Sequence, residues 1–434
     1  MTGVLGATGL AGCANQQELQ GETDTDAGDG GGGDDGGDGD DEGTETTGDG
    51  GGGDKQPLPV GVVIPFSGDL SDFGEPMLNA LKMAQEDINA AGGPLGREIE
   101  LLDEDSATDS TQAVNAANKL VNTDGVQSIV GAVSSGVTIS IAKSVSIPNG
   151  VLQITSASSS PTISTLDDDD LVWRTRTNDR FVAKVMARII QNQGSDSAAV
   201  IYVNNDFGKA LANTFESAFE GTTTAKVGYS SGQSSYQQVL SKAFDGDPDY
   251  VAFAGYPESG TTMLSQWNEG GYGGNWVLHT SLLSQDVIEN VGADVMNGMF
   301  GVRTKPPTGD ATEAFKSDYG SQYPDAQLFS PYSWNSYDAL MSYALAVQAA
   351  GSADPAKVKA QMRPASSPPG DAVSYGEFEA GKSALEGGAD IDYSGPSGTV
   401  NYDDNGDVAS DMVIVGVADG QFEDQRTIPA DDLV

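Results

Sequence analysis

The 434-residue chain has one cysteine, Cys13, and one histidine, His279. That scarcity excludes much side-chain chemistry. A lone cysteine forms no intramolecular disulfide and cannot supply the thiolates of a structural zinc site. His279, in VLHTSLLS, has no cysteine or histidine beside it and reads as structural. There is no Walker loop, no G-x-S-x-G turn and no clustered set of metal ligands. GGYGG, Gly270–Gly274, lacks the strand–loop–helix setting of a phosphate loop and reads as a turn. What remains is a hydroxyl-rich string, SASSSP, Ser156–Pro161, directly after a β-branched run. At the carboxyl end of a strand such hydroxyls and backbone N–H groups suit a ligand, although the string also fits an ordinary turn before a helix. Asn178-Asp179 precedes a helical run and fits an N-cap. Glu258, in YPES, and the run Asp167–Asp170 read as solvated loop acids.

The elements that must position these residues alternate in type. Val60–Ile64, Ile99–Leu102, Val126–Val133, Val151–Thr155, Ala198–Val203, Tyr250–Tyr256 and Trp276–His279 read as strands. Between them Glu75–Ala91, Ser110–Val121, Thr138–Val145, Phe181–Gln193 and Gly208–Phe219 read as helices. Met77, Leu81, Ala84 and Ile88 share one face of the first, and Gly92-Gly93-Pro94 stops it. Trp334–Ala350 reads as a long amphipathic helix. The order predicts βαβ units with parallel sheets, arranged as two similar α/β lobes. Ligands of open α/β sheets sit at the carboxyl ends of the strands, so two facing sheets would make a cleft.

Charge narrows the function further. With 64 acidic and 21 basic side chains, the formal charge is −43, which excludes nucleic acids and anionic membranes as direct partners. Fourteen of the acids, against one lysine, lie in Ala14–Gln56. The remaining acidity predicts a folded part adapted to a salt-rich environment, where screening shortens self-repulsion.

Ala14–Gln56 is nearly all Gly, Asp, Glu, Thr and Gln and cannot bury apolar area. It reads as a disordered tether, about 35 Å in r.m.s. span, without the loop spacing of a calcium hand. Met1–Gly12 is apolar but too short to span a bilayer, which takes about 20 residues, and it lacks a basic n-region. Leu10-Ala11-Gly12-Cys13 resembles a lipobox. Residues 1–13 are therefore expected to be the end of a lipoprotein signal whose start lies upstream, with Cys13 lipidated and the chain anchored to the extracellular face of the cytoplasmic membrane by that lipid alone.

DINAAGGPLGREIELLDEDSATDSTQAVNAANKLV, Asp87–Val121, resembles the type I periplasmic binding proteins of the branched-chain amino acid transport family. VGVVIPFSGDLSDFG, SIVGAVSSGVT, VLQITSASSSP, WRTRTND, VIYVNNDFGKA and VAFAGYPESG match in the same order. The resemblance implies two Rossmann-like lobes, parallel sheets flanked by helices, joined by three crossovers. Lobe one would comprise residues 57–177 plus 306–396, lobe two 178–305 plus 397–434. It implies a monomer without cofactor or enzymatic activity that captures a small polar solute for ABC permease subunits. The solute would be a branched-chain amino acid or a related amide or urea-type compound; a chemotaxis or signalling transducer is the alternative partner.

The same resemblance assigns residues. Ser135 and Ser159, with backbone groups of Ala157 and Ser158, would take a carboxylate. Asp179 matches an acid that accepts an ammonium. Phe73 and Phe207 stand at aromatic lid positions, and Tyr256 at a binding tyrosine. One departure stands out: Ser281 occupies the place of the family's glutamate. A hydroxyl cannot neutralise an ammonium in a desolvated cleft, so either Glu258 reaches in or the ligand is not a standard amino acid.

Overall fold

The five strands that open the folded region lie side by side in one parallel sheet. The computed structural model describes residues 55–328 and 332–433; Cys13, its lipobox and the tether up to residue 54 lie outside them. The strands are β1 Leu58–Ile64, β2 Ile99–Asp105, β3 Ser128–Gly131, β4 Leu152–Thr155 and β5 Val172–Arg174, in the order β2-β1-β3-β4-β5. Strand β1 has neighbours on both sides, which explains its unbroken apolar run: Val60, Val62, Val63 and Ile64 are fully buried.

A second sheet has seven strands. They are β6 Ser197–Val203, β7 Thr222–Tyr229, β8 Tyr250–Ala254, β9 Asn275–Leu278 and β10 Phe300–Thr304, followed much later by β14 Met412–Ala418 and β15 Gln421–Ile428. The order is β15-β14-β10-β9-β8-β6-β7. The five strands from β6 to β10 pair in parallel, whereas β14 pairs antiparallel with both β10 and β15. This sheet is thus mixed rather than purely parallel. Asp419 and Gly420, both at positive φ, turn β14 into β15 in two residues, the geometry of a type I′ hairpin. A small third sheet, β11 Asp371–Ser374, β12 Ile391–Gly395 and β13 Gly398–Thr399, lies between β10 and β14 in the chain.

The helix Gly74–Ala90 buries Met77, Leu81, Ala84 and Ile88, as its spacing predicts. It packs along the helix Tyr332–Ala350. That second helix is not amphipathic: every residue from Tyr332 to Val347 is buried, because Gly74–Ala90, Pro355–Met362 and Phe378–Glu386 cover it. It even encloses an acid. Asp338 accepts from the Tyr393 hydroxyl at 2.6 Å and from the Ser397 N–H at 2.8 Å. Burial outweighs those bonds and pushes its carboxyl up to about 7.

The first and third crossovers are fastened where they pass. Arg174, fully buried, pairs with Asp407 and reaches the Ser160 carbonyl at 2.9 Å. Its N–H donates to the Gly406 carbonyl, and Thr177 bridges to Val408. Thr175 and Asn335 exchange hydrogen bonds, tying the first crossover to the long helix. No helix among the described residues is long and apolar enough to cross a membrane.

Candidate functional site

Both large sheets direct the carboxyl ends of their parallel strands at one small buried cavity, of about 30 Å³. From the five-stranded sheet come the loop after β3, with Val133, Ser134 and Ser135, and the loop after β4, with Ala157 and Ser159. The seven-stranded sheet contributes Phe207 after β6, Tyr256 after β8, and His279 with Ser281 after β9. Leu70, Phe73 and Tyr332 complete the wall.

The loop after β3 begins at a tight approach. Gly131 has φ +139°, and a Cβ there would collide with the Val63 carbonyl. Glycine therefore lets β3 end against β1 and turn into Ala132–Ser135. Ser158 braces that turn. Its hydroxyl meets Thr138 Oγ1 at 2.7 Å and the carbonyls of Ala132 and Val133 at 3.0 Å, and its N–H donates to Thr155 Oγ1 at 3.0 Å. Neither group is offered to the cavity, so Ser158 supports the site and does not line it.

Ser135 behaves differently. Its oxygen accepts the N–H groups of Ser159 at 3.2 Å and Ser160 at 3.1 Å. With both lone pairs engaged, its proton is left to donate, and no acceptor for it exists among the described residues. It is a buried donor held at the cavity wall. Ser159 is the complement: its hydroxyl donates to Asp179 Oδ2 at 2.5 Å, which leaves its lone pairs to accept.

Asp179 is fully buried. It is not the helix cap; Asn178 is, accepting from the Arg180 N–H at 2.9 Å. The Asp179 carboxylate lies instead between Ser159 and His279, whose Nε2 is 3.2 Å from Oδ1. Burial raises this carboxyl, but the facing His279, the Arg176 charge and the Ser159 hydroxyl outweigh that and hold it below its ordinary range.

Tyr256 crosses the cleft to Ser134, hydroxyl to hydroxyl at 3.2 Å, and accepts from Asn205 Nδ2 at 2.7 Å. Burial pushes it up to about 12. Phe207 stacks on Tyr256 at 5.9 Å and stands edge-on to His279 at 4.8 Å, while Phe73 packs on Tyr332 at 4.9 Å. Ser281 donates to the Gly255 carbonyl at 2.6 Å. Glu258 is exposed and faces an outer groove with Asp72 and Asp286; it does not reach in.

Of the predicted residues, Ser135, Ala157, Ser159, Phe73, Phe207, Tyr256 and Ser281 line this cavity, and Asp179 lies directly behind it. Ser158 and Glu258 are elsewhere. Sequence reasoning missed His279, Ser134 and Tyr332. Its one signal for His279 was singularity, which pointed away from metal or triad chemistry but toward nothing in particular. A larger hollow, about 600 Å³, is lined by Asp72, Glu75, Asp286 and Asp325 and gathers none of the predicted residues. Among the described residues no cluster of His, Cys, Asp and Glu could hold a metal.

Residues 57–421 match the sequence model of a family described as periplasmic binding protein. The chemotactic signal transduction system substrate-binding protein BasB of Halobacterium salinarum is 28% identical over 354 residues, which covers 80% of this chain and 83% of that protein. A Leu/Ile/Val-binding protein homolog of Brucella melitensis is 29% identical over 304 residues, 68% of this chain and 80% of that protein. The crystal structure of a leucine-binding protein from Thermotoga maritima superposes with a TM-score of 0.73 at 24% identity, over 86% of this chain and 99% of that one.

Proposed function

This chain belongs to the periplasmic binding protein family, and we propose that it captures a small solute outside the cytoplasm by closing two hinged lobes over it. One observation carries this reading: Ser135, Ala157 and Ser159 from one sheet meet Phe207, Tyr256 and His279 from the other at a single buried cavity. The Ser135 hydroxyl suits a carboxylate or amide oxygen, and the rings suit an apolar body. The printed name of one relative, a Leu/Ile/Val-binding protein homolog, supports a solute of the branched-chain amino acid class or a related one. Lobe one is taken as residues 57–177 plus 306–396 and lobe two as 178–305 plus 397–434, with the crossovers as hinge.

The closed form would be handed to ABC permease subunits, by a monomer held to the membrane through lipid on Cys13 and the acidic tether. Similarity to BasB, a chemotactic substrate-binding protein by name, favours a signalling transducer as the second reading of the same capture module. Isothermal titration against branched-chain amino acids, their amides and matched carboxylates tests capture. Absence of heat and of any shift in melting temperature across that panel would sink it. Binding of the loaded protein to reconstituted permease or to transducer then separates transport from sensing.

A further inference from the structure

We infer that Asp105 and Thr108, at the end of β2 and in the loop after it, are positioning residues that hold the Leu70 and Phe73 wall of the cavity and so set how well the site takes a solute's apolar body. The inference rests on the capture reading above and deepens it.

Residues 65–73 join β1 to the helix Gly74–Ala90. Leu70 and Phe73 of this stretch line the cavity, whereas Asp105 and Thr108 do not. The stretch belongs to no strand, so its backbone N–H groups need partners elsewhere. Three of them find side chains at the end of β2 and just beyond. Asp105 Oδ1 accepts the N–H of Phe66 at 2.8 Å and of Ser67 at 3.3 Å, and Oδ2 accepts the Ser67 hydroxyl at 2.6 Å. Thr108 Oγ1 accepts the Leu70 N–H at 3.2 Å. The neighbouring acids are engaged elsewhere: Glu104 pairs with Lys119, and Asp109 caps the helix Ser110–Asn122 through the Gln112 N–H.

The receiving loop is shaped for this contact. Asp105 Oδ1 also accepts the Ala107 N–H at 2.7 Å, which turns the chain back on itself. Ala107 and Thr108 stand at φ +47° and +57°, a region that β-branched residues above all avoid. Gly68, at φ +81°, lies against them: a Cβ there would sit 2.1 Å from the Ala107 carbonyl oxygen. The two backbones therefore touch where only glycine fits. Strained conformations of this kind persist where the surroundings hold them, and here the surroundings include the segment that walls the cavity. Partial burial raises the Asp105 carboxyl, but hydrogen bonds from Ser67, Ala107 and Phe66 outweigh that and hold it below its ordinary range. The clamp is thus a carboxylate, an acceptor toward all of these donors at once. What it holds is apolar: Leu70 and Phe73 are buried, and Phe73 packs on Tyr332.

Hydrogen exchange of the full chain reads the clamp without any solute. In Asp105→Ala the amides of residues 66–73 should exchange at least about tenfold faster than in wild type, while those of the second sheet keep their protection. Titration with L-leucine reads the consequence. Asp105→Ala should bind it about tenfold more weakly, and Asp105→Asn, which keeps an oxygen for the Phe66 and Ser67 N–H groups, should recover most of that loss. Thr108→Val keeps the branching and removes the acceptor for Leu70, so the Leu70 amide should exchange faster; this variant serves alone if Asp105→Ala does not fold. A lower melting temperature with exchange at 66–73 and leucine affinity both unchanged would make Asp105 structural only and overturn the inference. Faster exchange that leaves leucine affinity untouched would overturn it equally. Wild type that binds no leucine counts against the capture reading's ligand class, and exchange at 66–73 then decides the clamp by itself.

Discussion

Arg174 and Asp407 form an ion pair in which the arginine is fully buried and the aspartate nearly so. They are separated by more than two hundred residues, and the pair clamps the first crossover against the third. Asp407→Asn leaves a buried guanidinium without its counter-charge and should cost about 3–5 kcal/mol of stability. Denaturant unfolding with the m-value held in view is the measurement; a loss well under 1 kcal/mol would show the clamp to be incidental.

Ser135 and Ser158 are neighbours in space with opposite duties. Ser135→Ala removes the donor facing the cavity, and affinity for a carboxylate solute should drop by about 1.5–3 kcal/mol. It also strands the N–H groups of Ser159 and Ser160, so a modest fall in melting temperature is expected. Ser158→Ala should lower stability by about 1–3 kcal/mol, because carbonyls and Thr138 lose their partner, with little change in affinity. Titration and melting of both variants checks the contrast; equal affinity losses would contradict it.

Tyr256→Phe deletes the bond to Ser134 across the cleft. About 1 kcal/mol is at stake, a several-fold loss of solute affinity. Small-angle scattering of the unliganded variant should show a more expanded particle than wild type. An unchanged scattering profile would mean that this bond does not hold the cleft shut.

Asp338 gives a pH signature. Its folded carboxyl is raised from 3.8 to about 7, so between those values the folded state holds a proton that the unfolded state has released. Stability from this group is present below about pH 4 and declines as pH rises toward 7, by a few kcal/mol in all. Asp338→Asn should flatten that part of the profile relative to wild type. Parallel pH profiles of unfolding free energy for the two proteins would refute the assignment.

Much of this architecture is legible in the residues. Val60–Ile64 has to be a buried strand, and Met77, Leu81, Ala84 and Ile88 have to face a core, because period and burial are the same fact seen twice. The polar arc of Ser135, Ala157 and Ser159 is legible through the family resemblance, and the SASSSP part of it also because it follows a strand end. The long helix is not: a segment covered on several sides carries no polar face, and even Asp338 in its middle is buried. The two-residue turn at Asp419-Gly420 was readable from its type yet yielded no antiparallel hairpin, since alternation in β15 is masked by its exposed acids. The side-chain pairing behind the cavity was beyond reach. Asp179 and His279 lie one hundred positions apart, and only the folded chain shows which nitrogen meets which oxygen.

The hairpin β14–β15 bears on the order in which the molecule assembles. Strand β10, Phe300–Thr304, waits for Met412–Gly416 to cover its free edge, so the second sheet stays unfinished until the last segment of chain has been made. Pairings across such long sequence separations form slowly. A growing or threading polypeptide therefore remains unlocked until its tail emerges, a delay that suits a protein which must leave the compartment of its synthesis before it sets into final form.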